Sequence, residues 1–153
     1  MPFDAAHVHL MLNHLPVIGA PLLLLLLTIG LLRGSRELVT VSLVLVVGLA
    51  VATGLVYLTG EPAEELVERA PWFRDALAEP HEEQATVSLV AMLVTGALAG
   101  VAIALRRRPK AGLRLARTAW AGLALSTVLL GWTGWSGGQI RHEEVRSAAP
   151  NAR

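Results

Sequence analysis

Apolar residues are concentrated in four long runs that short polar segments separate. The runs cover residues 15–32, 38–58, 85–105 and 115–135. Each is close to the ~20 residues that an α-helix needs to cross ~30 Å of hydrocarbon. Short connections between sequential helices favour antiparallel neighbours. The pattern therefore predicts one all-α integral membrane domain over residues 1–153, folded as an up-down-up-down four-helix bundle.

Glycine and proline residues mark the predicted helix ends. Gly60 is expected to close the second apolar helix, and a short surface helix is expected over about 62–70. Glu79-Pro80 is expected to begin the third helix, because proline is tolerated in a first turn. Gly137-Gly138 is expected to end the fourth helix.

Basic residues predict which ends of the helices face the cytoplasm, because Lys and Arg in short loops mark that side. The chain has 13 Lys and Arg. Those in or beside the two short connections are Arg33, Arg36, Arg106, Arg107, Arg108, Lys110, Arg114 and Arg117. We therefore expect both termini and the segment between the second and third runs outside, on the periplasmic side of a bacterial inner (cell) membrane.

The potential metal ligands fall on the opposite side. All five histidines, and all 12 acids except Glu37, lie in the segments that are predicted to be outside. Imidazole with carboxylate is the ligand set of iron, manganese, copper and zinc sites, and bundles assemble such sites from facing helices. We predict a transition-metal site, mononuclear or polynuclear, with ligands among His7, His9, His14, Glu61, Glu65, His81, Glu82, His142 and Glu143.

Within this set, His14, His81 and His142 are the strongest candidates, since each lies within about two helical turns of an apolar run. Pro16 leaves the Leu12 carbonyl without a helical donor, which predicts a bend beside His14. Simpler explanations exist for some members: an interfacial histidine is often only solvated, and the helix dipole favours acids in a first turn without any metal.

Haem b is the alternative cofactor. His14 with His81 or His142 could supply two axial ligands, and the glycines of the helices could make room for the macrocycle. Arg141, beside His142, is a candidate cofactor-binding residue for a haem propionate or a ligand carboxylate. Haem does not call for the glutamates, which favours a non-haem metal site. A cofactor-free subunit of a larger membrane complex is the third hypothesis.

The absence of cysteine excludes disulfides, thiolate metal sites, iron–sulfur clusters and c-type haem attachment. No charged residue lies in the middle of an apolar run, which disfavours a transporter. A redox or metal-handling role, including that of a membrane metal-dependent oxidoreductase, agrees with the ligand set. The expected partners are the lipid bilayer and a redox partner or larger membrane complex, with no nucleic acid.

Several motifs resemble those of a known group. They are His9-x4-His14-Leu-Pro-Val-x-Gly19, Thr59-Gly60, His81 and Thr-Gly-x-x-Gly-Gly-x-Ile-Arg-His at 133–142. This pattern resembles families of bacterial four-helix membrane proteins that are known as domains of unknown function, and it covers most of the chain. Some members are joined to Rieske-type redox domains, so the resemblance implies electron transfer or metal chemistry.

Overall fold

The computed structural model describes residues 4–142 and Arg146, and all regular structure in this part of the chain is α-helical. The helices are α1 (Ala5–Leu12), α2 (His14–Arg33), α3 (Arg36–Tyr57), α4 (Gly60–Val67), α5 (Asp75–Ala104) and α6 (Pro109–Arg141). By length and composition, four segments of this region could each cross a membrane: Ala5–Arg33, Arg36–Val67, Asp75–Ala104 and Pro109–Arg141. The predictions of an all-helical fold and of four apolar helices of membrane length are confirmed.

A link of two residues turns the chain between α2 and α3. Gly34 has a φ of 63°, the left-handed conformation that glycine adopts without steric cost after a helix. The Ser35 side chain then accepts a hydrogen bond of 3.3 Å from the Leu38 amide and caps α3. Because the link is so short, α2 and α3 are held side by side.

The four long helices pack in a ring. α2 and α5 each pack against both α3 and α6, whereas the diagonal pair α3 and α6 barely touch. Small residues fill much of the interior, namely Ala20, Ala50, Ala99, Ala102, Ala116 and Ala119, together with Leu27, Met92 and Leu123. Large apolar side chains point outward, and Leu22, Val51 and Val128 are each at least 60% exposed. Small residues inside and large ones outside are consistent with contact between the helices and a lipid bilayer.

α3 and α5 approach each other closely at Gly96. A Cβ atom placed on Gly96 would lie 2.5 Å from the Cβ atom of Ala50, far inside van der Waals contact. Glycine at position 96 therefore sets the distance between the two helices.

Hydroxyl groups account for the polar contacts inside the ring. Ser88 and Thr133 are hydrogen-bonded at 2.8 Å, and Thr95 and Ser126 at 3.3 Å, both between α5 and α6. Thr95 also donates to the Ala91 carbonyl of its own helix. These bonds satisfy polar groups that would otherwise be costly to bury.

The predicted start of the third helix was wrong. α5 begins at Asp75, and Pro80 lies inside the helix rather than in its first turn. The helix tolerates this proline because the bond that it removes, to the carbonyl of Ala76, lies near an exposed helix start. Glu82 is consequently in the second turn, and Asp75 is the first-turn acid. The helix dipole therefore does not explain Glu82.

Two predicted glycine stops were also wrong. α3 ends at Tyr57, and Gly60 is the first residue of α4, which ends at Val67. α6 continues through Gly137 and Gly138 to Arg141. A glycine in a helix has no side chain to pack, and at position 137 this lack makes room for an imidazole ring from α5.

We expect Gly96→Ala to destabilise the bundle by about 1–3 kcal/mol, the usual cost of overpacking a tight core. The added methyl group would force α3 and α5 apart at Ala50. The measurement is reversible unfolding in mixed detergent micelles. Gly100→Ala is the matched control, because a Cβ atom at position 100 meets no neighbour within 4 Å. Equal stability of the two variants would contradict the assigned contact.

Candidate metal centre

The polar groups of interest meet at one end of the ring, where α1, α4, the start of α5 and the end of α6 lie. We call this the histidine end and define it by His9, Thr59, His81 and Ser136. His9 of α1 reaches Thr59, between α3 and α4, and His81 of α5 reaches Ser136 of α6. Each hydrogen bond joins segments that are at least 50 residues apart in the sequence, so both rings are held in place by tertiary structure.

His9 is partly buried, and its Nδ1 lies 2.9 Å from the hydroxyl oxygen of Thr59. That hydroxyl donates its single proton to the Val56 carbonyl at 2.6 Å. Towards the imidazole it can therefore only accept, which assigns the ring proton of His9 to Nδ1. Gly60 adjoins the ring: a Cβ atom there would lie 3.8 Å from Cε1 of His9.

His81 makes the same kinds of contact between α5 and α6. Its Nδ1 lies 3.0 Å from the hydroxyl oxygen of Ser136, which donates to the Thr133 carbonyl at 3.0 Å. The ring proton is again assigned to Nδ1. Gly137 adjoins the ring more closely, since a Cβ atom there would lie 2.9 Å from Cε1 of His81.

This tautomer leaves Nε2 of both rings with a lone pair that can bind a metal ion. Metal-ligating histidines in general donate the other ring N–H to an oxygen acceptor, which fixes the ring and raises its basicity. The two imidazoles also lie within electrostatic reach of each other. The histidine end thus holds two oriented nitrogen donors, one from His9 on α1 and one from His81 on α5.

A carboxylate lies near the ring of His81, and further acids lie near that carboxylate. The carboxyl groups of Glu64, on α4, and Glu82, on α5, lie within reach of each other, with Glu68 and Asp75 within electrostatic reach of Glu64. Glu82 also acts electrostatically on His81. Two carboxyl groups that are hydrogen-bonded to each other share a proton, and a cation could take the place of that proton.

The other predicted ligands occupy different surroundings. His14 is exposed, and its Nδ1 donates to the Leu10 carbonyl at 2.6 Å. His7 is exposed and bonds to Asp4. The bonds from the amide and ring of His7 lower the pKa of the Asp4 carboxyl. Glu61 and Glu65 are exposed on α4.

The two predicted residues at the end of α6 make contacts of other kinds. His142 is exposed and caps α6, with its amide donating to the Gly138 carbonyl. Arg141 lies over the ring of Trp72, 4.7 Å from the centroid, and so makes a cation–π contact rather than a contact with either imidazole. Glu143 lies outside the described residues.

Within residues 4–142 and 146, no three His, Asp or Glu side chains converge in a group that could hold a metal ion. The arrangement is a pair of imidazoles with carboxylates nearby. Thr59, Ser136 and Glu64 are functional candidates that the sequence reasoning did not select. The signal for the first two was the occurrence of a hydroxyl residue followed by glycine at 59–60 and at 136–137.

No protein-family model, curated protein or solved structure matches the chain.

We expect Gly137→Ala to displace the imidazole of His81, because the new methyl group would overlap Cε1. The readout is the set of His81 ring resonances in the NMR spectrum of the labelled protein in detergent. Gly138→Ala is the control, since a Cβ atom there meets nothing within 4 Å. Unchanged His81 resonances in Gly137→Ala would refute the placement of the ring.

Proposed function

We propose that the chain is a multi-pass protein of a bacterial inner membrane, with up-down-up-down helices and both termini on the periplasmic side. The order of the hydroxyl pairs supports antiparallel α5 and α6: Ser88 pairs with Thr133, and the later Thr95 pairs with the earlier Ser126. The concentration of Lys and Arg in the α2–α3 and α5–α6 connections supports the orientation.

We propose further that the histidine end binds a transition-metal ion through Nε2 of His9 and Nε2 of His81. The observation that carries this proposal is the pair of hydroxyl-to-carbonyl hydrogen bonds. These bonds favour the tautomer with the proton of each ring on Nδ1, in which Nε2 carries the lone pair. Glu64 and Glu82 are the nearest candidates for oxygen donors, and water can fill the remaining positions. Copper, zinc and iron all accept imidazole.

The same two nitrogens favour a role in redox or metal handling. A site with two protein nitrogens and open positions can exchange its remaining ligands, as a redox or metal-transfer site must. If the metal is copper or iron, the site can also pass single electrons to a partner outside the membrane. The acids near His81 would attract the cation and then balance its charge.

Haem b is the second candidate, and the same observation favours it. Two imidazoles from different helix pairs, each with a free Nε2, are what an axial bis-histidine site requires. The axial pair would then be His9 and His81. An optical spectrum separates the candidates, because bound haem gives a Soret band and a bare metal ion does not.

We expect protein that is purified in detergent without chelator to contain a transition metal near one equivalent, and His9→Ala and His81→Ala each to lose it. Elemental analysis and an optical spectrum of the same sample are the measurements. His14→Ala is the matched control, because that ring is exposed and bonds within its own segment. Metal-free, haem-free protein that also fails to bind added metal would favour the cofactor-free subunit.

The orientation can be tested by labelling, because the natural chain has no cysteine. Arg69→Cys, between α4 and α5, should react with a membrane-impermeant maleimide in spheroplasts. Lys110→Cys, at the start of α6, should react only after the membrane is permeabilised. The reverse pattern would show an inverted bundle, and labelling of both from outside would refute the topology.

A further inference from the structure

We propose that the chain is an internal duplication of one helical hairpin, and that its two equivalent histidine half-sites bind a single metal ion between them. Hairpin 1 consists of α1, α2 and α3 with Thr59 and Gly60, and hairpin 2 consists of α5 and α6. This inference rests on the proposed metal-binding function and specifies how the ligands share the ion.

The two half-sites correspond residue by residue. A shift of 72 positions takes His9 to His81, and a shift of 77 takes Val56, Thr59 and Gly60 to Thr133, Ser136 and Gly137. Every contact is repeated under these shifts: ring to hydroxyl, hydroxyl to carbonyl, and ring edge to glycine. If the likeness of the two histidines were a coincidence in one hydrogen bond, the other two contacts would not be repeated as well.

The buried faces of the helices follow the same two shifts. The shift of 72 takes all four buried residues of α2 to buried residues of α5: Pro16 to Ser88, Ala20 to Met92, Leu27 to Ala99 and Gly30 to Ala102. The shift of 77 takes four of the seven buried residues of α3, namely Ser42, Val46, Leu49 and Thr53, to buried Ala119, Leu123, Ser126 and Leu130 of α6. Helical periodicity explains the spacing of the buried residues within each set. It does not explain why the two sets follow the same shifts, 72 and 77, as the contacts of the two histidines.

The packing of the ring has the matching symmetry. Exchanging α2 with α5 and α3 with α6 turns the α2–α3 contact into the α5–α6 contact, and the α3–α5 contact into the α2–α6 contact. The four principal interfaces are thereby related in pairs, as a two-fold axis between the hairpins would relate them. His9 and His81 are equivalent about that axis and lie within electrostatic reach of each other. An ion on the axis would accept one nitrogen from each hairpin.

The acids break this symmetry. Glu82 corresponds to Leu10, and Glu64 corresponds to Arg141, so neither carboxylate has an acidic counterpart under the two shifts. The two nitrogen donors are therefore equivalent, whereas the candidate oxygen donors are not repeated. An ion with two equal nitrogens and unpaired oxygen ligation is the expected result.

The test is a titration of the full-length protein in detergent with Cu²⁺, followed by electron paramagnetic resonance. We expect one bound ion per chain and the signature of two nitrogen donors. Thr59→Ala and Ser136→Ala should each weaken binding by a similar factor, about 10- to 100-fold, the usual effect of removing the group that orients a ligand. The exchange variant Thr59→Ser with Ser136→Thr should bind as the natural protein does.

Thr118→Ala is the control for loss of a hydroxyl, because Thr118 is exposed and donates within its own helix. Helical content and a single elution peak verify that each variant folds. Two ions per chain, each lost with one histidine, would overturn the shared site, and so would an effect of Ser136→Ala without one of Thr59→Ala. In either case the protein would still bind metal, so the proposed function would stand although the shared site would not. A natural protein that binds no Cu²⁺, Zn²⁺ or Fe²⁺ would instead refute the proposed function, and the inference with it.

Discussion

The close contact of α3 with α5 at Ala50 and Gly96 is the interaction on which the rest of the structure depends. Inside a bilayer, lipid chains are as apolar as leucine, so helices gain little by hiding apolar surface and associate through close packing instead. Side chains of one carbon or none allow that packing. Because α3 belongs to hairpin 1 and α5 to hairpin 2, this contact joins the hairpins and so brings His9 and His81 to the same place.

The second constraint is the need to satisfy polar groups where water is absent. Hydroxyl residues in the helices meet it by donating to a carbonyl of their own helix, as Thr53 does to Leu49. A hydroxyl that has donated in this way still has lone pairs to offer. At the histidine end, Thr59 and Ser136 use those lone pairs to accept from an imidazole. The device that makes a hydroxyl tolerable in an apolar helix thus also fixes the orientation of a potential metal ligand.

The four long helices could be predicted from the sequence because their signal is local: a run of apolar residues of the right length is sufficient. The helix ends could not. Pro80, Gly60 and Gly137 have ordinary roles as start and stop residues, and the structure uses them otherwise; for the two glycines the neighbours are rings from distant segments. Gly137 is an example, since its lack of a side chain serves the ring of His81, which lies far away in the sequence.

The positions of the candidate ligands in the fold could not be derived from the sequence. His81 was among the strongest candidates and lies at the histidine end, but its partner there is His9 rather than His14. His14 ranked above His9 because it lies nearer to an apolar run. Which of the two rings points inward, however, depends on the side of the helix from which each side chain projects. That side depends on the packing of α1 against α4, which no local pattern reveals. The acids show the same limit, because Glu64 adjoins Glu82 only through the position of α4.

The two-residue link of Gly34 and Ser35 has a consequence for the direction in which the helices can cross a bilayer. Two residues span about 7 Å when fully extended, much less than the ~30 Å thickness of the hydrocarbon layer. In a bilayer, α2 and α3 would therefore cross in opposite directions, and neither could reverse while the other stayed in place. The link between α5 and α6, residues 105–108, would impose the same condition on the second hairpin. The direction of one helix in each hairpin would thus set the direction of the other.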